Sequence, residues 1–265
     1  MKDLKQALIA GEVLIGGFTP GTCSPELVEA VGYAGFDFVI IDCEHAPTSN
    51  VGTELQNLIR AAYASDITPL VRVTDNNSSL ILKALNFGAK GIVVPHIQTR
   101  EDMEKAAKAC RYPPEGTRGA NPSIRAAKYG LVDWLEYLKQ SDEQVVFWPI
   151  IEDKVAIENL TDMLSVKGID GIIFGPFDLA VDYDLHPFAP PPLFYPKVIW
   201  EELDEVIEAC RPRGIPVICP GGAPEHVKML VEKGVQVITH DFMLTCTLAL
   251  RKLIEDSRKA ALSVK

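Results

Sequence analysis

Residues 147–180 read FWPIIEDKVAIENLTDMLSVKGIDGIIFGPFDLA. Two apolar, strand-like runs, 145–151 and 171–174, flank a segment in which Ala156, Leu160, Met163 and Leu164 recur at helical offsets. The stretch therefore reads as a βαβ unit. Parallel strands joined by a crossover helix start from the same edge of a sheet and lie about 4.8 Å apart, so their C-terminal ends fall side by side. Each run here ends on an acid, Glu152 after the first and Asp178 in the Gly-Pro-Phe-Asp turn after the second. Two carboxylates at neighbouring strand ends suit a hard divalent cation, since Mg²⁺ takes one or two protein carboxylates and leaves its other positions to water and substrate.

The same arrangement repeats along the chain. Strand-like runs at 13–19, 36–41, 68–73 and 91–97 are followed by helical stripes such as Leu27, Ala30, Val31, Ala34 and Met103, Ala106, Ala107, Cys110. Beyond the opening unit come a stripe through Leu203, Val206, Ile207 and Cys210, then runs at 216–219 and 235–239, each with its own helix. Continuously apolar strands separated by one-faced helices predict a parallel sheet covered on its outside, and eight such units predict one closed (β/α)8 TIM barrel over residues 1–265. A doubly wound open sheet is the rival, without a GxGxxG turn to support it. Two connections are irregular: 112–144, with YPPEGTRGAN and a helical segment around 133–139, and 181–196, VDYDLHPFAPPPLFYP. Long loops in a compact barrel are commonly lids or contacts, though they also serve packing alone.

The 265 residues are 47% hydrophobic and 23% charged, an ordinary globular balance. No apolar run reaches the roughly 18 residues of a membrane span, and residues 1–11 lack a signal-peptide apolar core. Six cysteines without CxxC spacing read as reduced thiols, which places the expectation in the cytoplasm. A net charge of −10 and the lack of a basic stripe argue against nucleic acid. An anionic substrate would need a local positive spot on a negative body.

In barrels of this kind the active site lies at the C-terminal strand ends. Those ends offer Asp42-Cys43-Glu44-His45, Arg72, His96, Glu152, Asp178, Cys219-Pro220-Gly221-Gly222 and His240-Asp241. Asp42 and His45, three apart on a turn, are spaced for the carboxylate to hold one ring nitrogen while the other faces the cavity, as a general base requires. A hydrogen-bonded turn histidine is the bland alternative. Glu44 reads as a partner behind these groups or as a solvated acid. Arg72 would emerge at the mouth to bind a carboxylate or a developing enolate oxygen, or else rest in an ion pair with Glu152 or Asp178. His96, His240 and Asp241 receive no role.

These residues fall in blocks that resemble the HpcH/HpaI aldolases, metal-dependent class II pyruvate aldolases of the phosphoenolpyruvate/pyruvate barrel superfamily. The blocks are GFDFVIIDCEHAP (35–47), PLVRV (69–73), LNFGAKGIVVPHIQT (85–99), RYPPEGTRGAN (111–121), IEDKVAIENL (151–160) and GIDGIIFGPFDLA (168–180). The resemblance implies that Glu152 and Asp178 hold a divalent cation (Mg²⁺, Mn²⁺ or Co²⁺), that His45 oriented by Asp42 is the acid/base, and that Arg72 contacts the pyruvate oxygen. It also implies that backbone around Phe177 and Asp178 holds the substrate carboxylate, and that Gly119 and Ala120 approach a neighbouring subunit's site. A hexamer of paired barrels is implied as well, with the C-terminal helix exchanged between subunits.

Three departures from the family pattern stand out: Ile150 where many relatives carry Gln, Phe177 where a small residue is usual, and a Pro-rich loop at 187–196. The expected reaction is cleavage or formation of a 4-hydroxy-2-oxo acid to or from pyruvate and an aldehyde. Lys83 and Lys154 fall on helices, which weakens a Schiff-base route. Oxaloacetate decarboxylation through the same pyruvate enolate is the alternative enzyme reading. A non-catalytic barrel that binds a sugar acid or a protein is the alternative of another class.

Overall fold

A computed structural model describes residues 1–19, 23–48, 52–185 and 195–263. The chain begins with helix α1 (Leu4–Ile9), followed by β1 (Leu14–Phe18), α2 (Pro25–Tyr33), β2 (Phe38–Asp42), α3 (Thr53–Ala64), β3 (Thr68–Arg72), α4 (Ser78–Phe87), β4 (Gly91–Val94) and α5 (Arg100–Ala109). A 3-10 turn (Arg125–Gly130) and α6 (Trp134–Gln144) lead to β5 (Val146–Ile151). Then come α7 (Lys154–Glu158), α8 (Leu160–Met163), β6 (Ile172–Phe174), α9 (Pro176–Asp182), α10 (Lys197–Cys210), β7 (Val217–Pro220), α11 (Pro224–Lys233), β8 (Val237–Asp241) and α12 (Phe242–Leu262). The eight strands pair in sequence order, all in parallel, and β8 closes on β1. This is the (β/α)8 barrel expected from the alternating pattern.

Side chains alternate across a strand, so each barrel strand feeds two cores. The inward set, including Phe38, Ile40, Leu70, Val93, Trp148 and Ile150, fills the barrel interior. The outward set, including Val39, Ile41, Val71, Ile92, Phe147 and Ile172, packs against the helices. Inside the barrel the rings of Phe38 and Trp148 meet edge to face at 5.4 Å, the offset that aromatic quadrupoles favour. Helix α1 was not expected; its Leu4, Ala7 and Leu8 join the inner set and close the N-terminal end.

The helix expected between β5 and β6 is broken in two at Asn159. The Asn159 side chain donates to the Gln98 carbonyl at 2.9 Å, the kind of competing contact that makes Asn a poor helix-interior residue. Its apolar stripe is buried all the same, from Ala156 through Leu160, Met163 and Leu164. After β6 the expected turn is a short helix, α9, with Pro176 in its first turn, where a missing N–H costs nothing. The extra segment of the β4–β5 connection is α6, with Asp133 accepting from the Glu136 N–H as its cap.

The eighth barrel helix behaves differently from the others. α12 runs 21 residues, and Phe242 is its only buried residue. Ile15, outward-facing on β1, is correspondingly 37% exposed. Among the described residues the cysteines are free, and burial pushes the thiols of Cys43, Cys110 and Cys210 up to about 12, which makes them inert packing groups. No helix among the described residues is long and apolar enough to cross a membrane.

Trp148 is fully buried at the centre of the inner core. Trp148→Ala is expected to destabilise the fold by about 3–5 kcal/mol in urea unfolding. A loss under about 1 kcal/mol would mean that the interior collapses around the gap instead of holding a cavity.

Candidate active site

The two-residue alternation that fills the barrel also delivers the site. On β2 the inward positions run Phe38, Ile40, Asp42; on β3, Leu70, Arg72; on β5, Val146, Trp148, Ile150, and then Glu152 just past the strand end. Each charged group at the mouth thus stands above an apolar residue of the interior. Register then decides who meets whom. Asp42 and Arg72 are direct partners across β2 and β3. Ile151 opposite Phe174 brings Glu152 beside Gly175 at the start of α9.

A chain of polar contacts follows from this placement. Arg72 grips Asp42 in a two-pronged pair, Nε to Oδ1 at 2.8 Å and Nη2 to Oδ2 at 2.6 Å. Its Nη1 lies 3.0 Å from Glu44 Oε2, and its guanidinium sits 4.7 Å above the Phe18 ring. His96 Nε2 lies 3.1 Å from Glu44 Oε1, and its Nδ1 lies 3.1 Å from Glu152 Oε1. The His96 backbone N–H donates to that same Glu152 oxygen at 2.8 Å. The contacts therefore run Asp42, Arg72, Glu44, His96, Glu152 along the mouth from β2 to β5.

The electrostatics are strained in one place. Burial pushes the Glu152 carboxyl up; the His96 N–H and ring pull it down, while Asp178 and Glu44 push it further up. Burial works against charge on Arg72, but the hydrogen bonds and charge of Asp42, then Glu44 and Glu152, outweigh it and hold the guanidinium more firmly protonated. Three carboxylates, Asp42, Glu44 and Glu152, thus act on one guanidinium, and Asp178 acts in turn on Glu152.

The geometry corrects the expected Asp42–His45 dyad. Both Asp42 oxygens are committed to Arg72, and Oδ1 also accepts the backbone N–H groups of Glu44 at 3.0 Å and His45 at 3.5 Å. That Asx-type turn takes the backbone of His45, not its ring. The ring, 67% exposed, projects over the mouth with Nε2 3.7 Å from Glu44 Oε2. Arg72 does rest in ion pairs, but with Asp42 and Glu44, not with the Glu152 or Asp178 of the alternative reading. Asp178 stands exposed in the first turn of α9, near enough to Glu152 to repel its charge.

His96, to which sequence spacing alone assigns no role, joins this chain of contacts. It lies two residues past β4, beyond Pro95, with a left-handed backbone at φ 54. Such a conformation is uncommon for a residue with a Cβ and clusters at functional sites. A histidine at a strand end next to the strand that carries Glu152 was the available signal. The other two groups left without a role have structural ones. Asp241 caps α12 by accepting the Leu244 N–H at 2.9 Å, and His240 packs its ring edge against Phe36.

Gly119 and Ala120 are not at this mouth. They are exposed, and a Cβ on Gly119 would lie 3.6 Å from Leu82 on α4, on the outer ring of helices. The buried Arg118 before them anchors the segment, donating to Ser141 Oγ at 3.0 Å and Asn86 Oδ1 at 3.3 Å with its guanidinium 4.5 Å above the Tyr112 ring. Phe177 is half exposed at the lip of the site, and Ile150 is buried beneath Glu152. Of the Pro-rich loop at 187–196, positions 187–194 lie outside the described residues.

The donor set suits a hard cation. Glu152 Oε1 takes both His96 contacts, which leaves Oε2 toward Gly175 and α9. Among the described residues no group of three or more His, Cys, Asp and Glu side chains is arranged to hold a metal. Two carboxylates completed by water and substrate oxygens match Mg²⁺-like ions better than a closed protein cage.

Residues 14–238 match the HpcH/HpaI aldolase/citrate lyase family. The chain is 32% identical over 218 residues to the 2-dehydro-3,6-dideoxy-6-sulfogluconate aldolase of Pseudomonas putida, covering 80% of each chain. It is 35% identical over 208 residues to the 2-keto-3-deoxy-L-rhamnonate aldolase of Salmonella schwarzengrund (strain CVM19633), covering 78% of this chain and 72% of that one. The crystal structure of an HpcH/HpaI aldolase/citrate lyase family protein from Burkholderia cenocepacia J2315 superposes with a TM-score of 0.86 at 27% identity, over 97% of this chain and 100% of that one. The chain belongs to the HpcH/HpaI aldolase/citrate lyase family and is a carbon–carbon lyase of the aldolase type.

Arg72→Leu leaves the buried Asp42 carboxylate without its guanidinium, and a loss of about 3 kcal/mol in urea unfolding is expected. Adding Asp42→Asn should return part of that loss. A double variant that loses the sum of what Arg72→Leu and Asp42→Asn lose singly would show that the two side chains are not energetically coupled.

Proposed function

We propose that the chain cleaves, and in reverse forms, a 4-hydroxy-2-oxo acid, giving pyruvate and an aldehyde with the help of a divalent cation. The observation that carries the reading is the Glu152 oxygen left over from the His96 contacts, which among the described residues faces Gly175 at the head of α9, the helix that carries Asp178. Glu152 and Asp178 would hold the cation, which supplies Lewis acidity to the carboxylate and keto oxygens of the substrate.

The chain's own groups account for the rest. Arg72 has spare N–H groups on Nη1 and Nη2 beyond those given to Asp42 and Glu44, and it directs them at the oxygen that gains charge as the C3–C4 bond breaks. Asp42 keeps that guanidinium in one orientation. His45, projecting over the mouth, takes the proton of the C4 hydroxyl. The C3–C4 electron pair passes into the pyruvate enolate, the aldehyde leaves, and a proton returned to C3 completes pyruvate. The backbone N–H groups at Phe177 and Asp178, in the first turn of α9, receive the substrate carboxylate.

The proposed assembly is a homo-oligomer, a hexamer of paired barrels by family likeness, in which α12 is exchanged. Leu250, Leu253 and Leu262 stand exposed on that helix. An apolar groove of about 490 Å³, lined by Phe36, His226, His240, Phe242 and Leu248, opens beside β7 and β8, where an eighth helix would cover the wall. A second copy's helix would lie over that groove, and the same association would carry Gly119 and Ala120 toward a neighbouring mouth.

Two measurements test this reading. Pyruvate release from a 4-hydroxy-2-oxo acid should fall about a hundred-fold or more on EDTA treatment, and likewise in Glu152→Gln and Asp178→Asn. Activity that survives chelation would sink the metal, and release from oxaloacetate alone would shift the reading to decarboxylation. Light scattering should give a mass several times that of one chain, reduced in a Leu250→Glu, Leu253→Glu variant. A wild-type monomer would refute the helix exchange.

A further inference from the structure

We propose that His96 is a positioning residue that aims the Glu152 carboxylate, supplying from β4 the polar contact that Ile150 cannot supply from β5. The inference rests on the metal reading above only for what Glu152 is aimed at.

One residue reaches one oxygen from two sides. The His96 N–H, at 2.8 Å, and the ring Nδ1, at 3.1 Å, both meet Glu152 Oε1. The carboxylate cannot turn without giving up both contacts, and the oxygen left over is Oε2. That oxygen would lie only 3.3 Å from a Cβ on Gly175, so it faces the glycine at the head of α9, the helix whose first turn carries Asp178. The far side of the ring lies 3.1 Å from Glu44 Oε1.

Nothing on β5 does this work. Ile150 occupies the inward position directly beneath Glu152, is buried, and offers only carbon. The backbone at His96 sharpens the point. At φ 54 a glycine or asparagine would fit more easily than a histidine. The N–H contact alone would be kept by a glycine; what histidine adds is the ring between Glu44 and Glu152.

His96→Gly separates the two contributions, since it keeps the N–H, suits the left-handed backbone and deletes only the ring. The Mn²⁺ dissociation constant, followed by electron paramagnetic resonance on the full-length protein, is expected to rise about ten-fold or more, the usual cost of removing a group that orients a ligand. The thermal midpoint should stay equal to or above that of the wild type. His96→Asn, which tolerates the same backbone and carries a polar side chain, should recover part of the affinity. In a metal-free crystal structure of His96→Gly, the Glu152 carboxylate should turn away from Gly175. An unmoved carboxylate, or wild-type Mn²⁺ affinity in a protein whose Mn²⁺ site is lost in Glu152→Gln, overturns the proposal. If the wild type takes up no Mn²⁺ that depends on Glu152, the metal reading falls by itself, and the crystallographic comparison still decides the role of His96.

Discussion

Everything at the mouth of this barrel depends on the strict two-residue alternation of side chains along parallel strands closed into a ring. Because inward positions repeat every second residue, Asp42 stands over Ile40, Arg72 over Leu70 and Glu152 over Ile150. Charge therefore meets a dry hydrocarbon core below and water only above. A carboxylate in that setting is costly unless donors or opposite charge surround it, which is why burial pushes Glu152 up and why its oxygen collects two contacts from one histidine. The Asp42–Arg72 pair answers the same constraint with a two-pronged fit, and both groups are held where the strand register puts them.

The barrel was legible because its signal is redundant. Apolar runs and helical stripes each announce one element, and eight repetitions leave little else for the chain to form. What escaped was local or relational. Asn159 divides a helix by a side-chain contact to Gln98, and α1 closes the barrel floor with three apolar residues, too few to show a period. Asp42, Arg72, Glu152 and Asp178 lie at or just past strand ends, as the pattern predicts, because strand ends can be located from periodicity alone. Their partners cannot be, because pairing across strands depends on register. Spacing on one turn suggested Asp42 for His45, whereas the β2–β3 register gave both Asp42 oxygens to Arg72. His96 was missed for the same reason, since its two carboxylates come from β2 and β5 and neither is near it in sequence.

The departures from the family pattern take on definite places. Ile150 belongs to the interior packing and offers no polar group on the strand that leads to Glu152. Phe177, in the first turn of α9 one residue before Asp178, stands half exposed. Tyr195, where the described chain resumes after the Pro-rich stretch, is buried against Trp200 with ring centroids 5.6 Å apart and lines the groove beside β7 and β8.

The polar chain from Asp42 to Glu152 occupies one arc of the rim, from β2 to β5. Across from it, β7 offers Pro220, Gly221 and Gly222, and β8 spends Asp241 on capping its own helix. Among the described residues the rim is thus divided into an arc where each charged group contacts the next and an arc that does not join that chain. Sequence change tends to accumulate where it breaks nothing. A substitution on the linked arc therefore disturbs several charged neighbours at once, whereas one among the described residues opposite disturbs few.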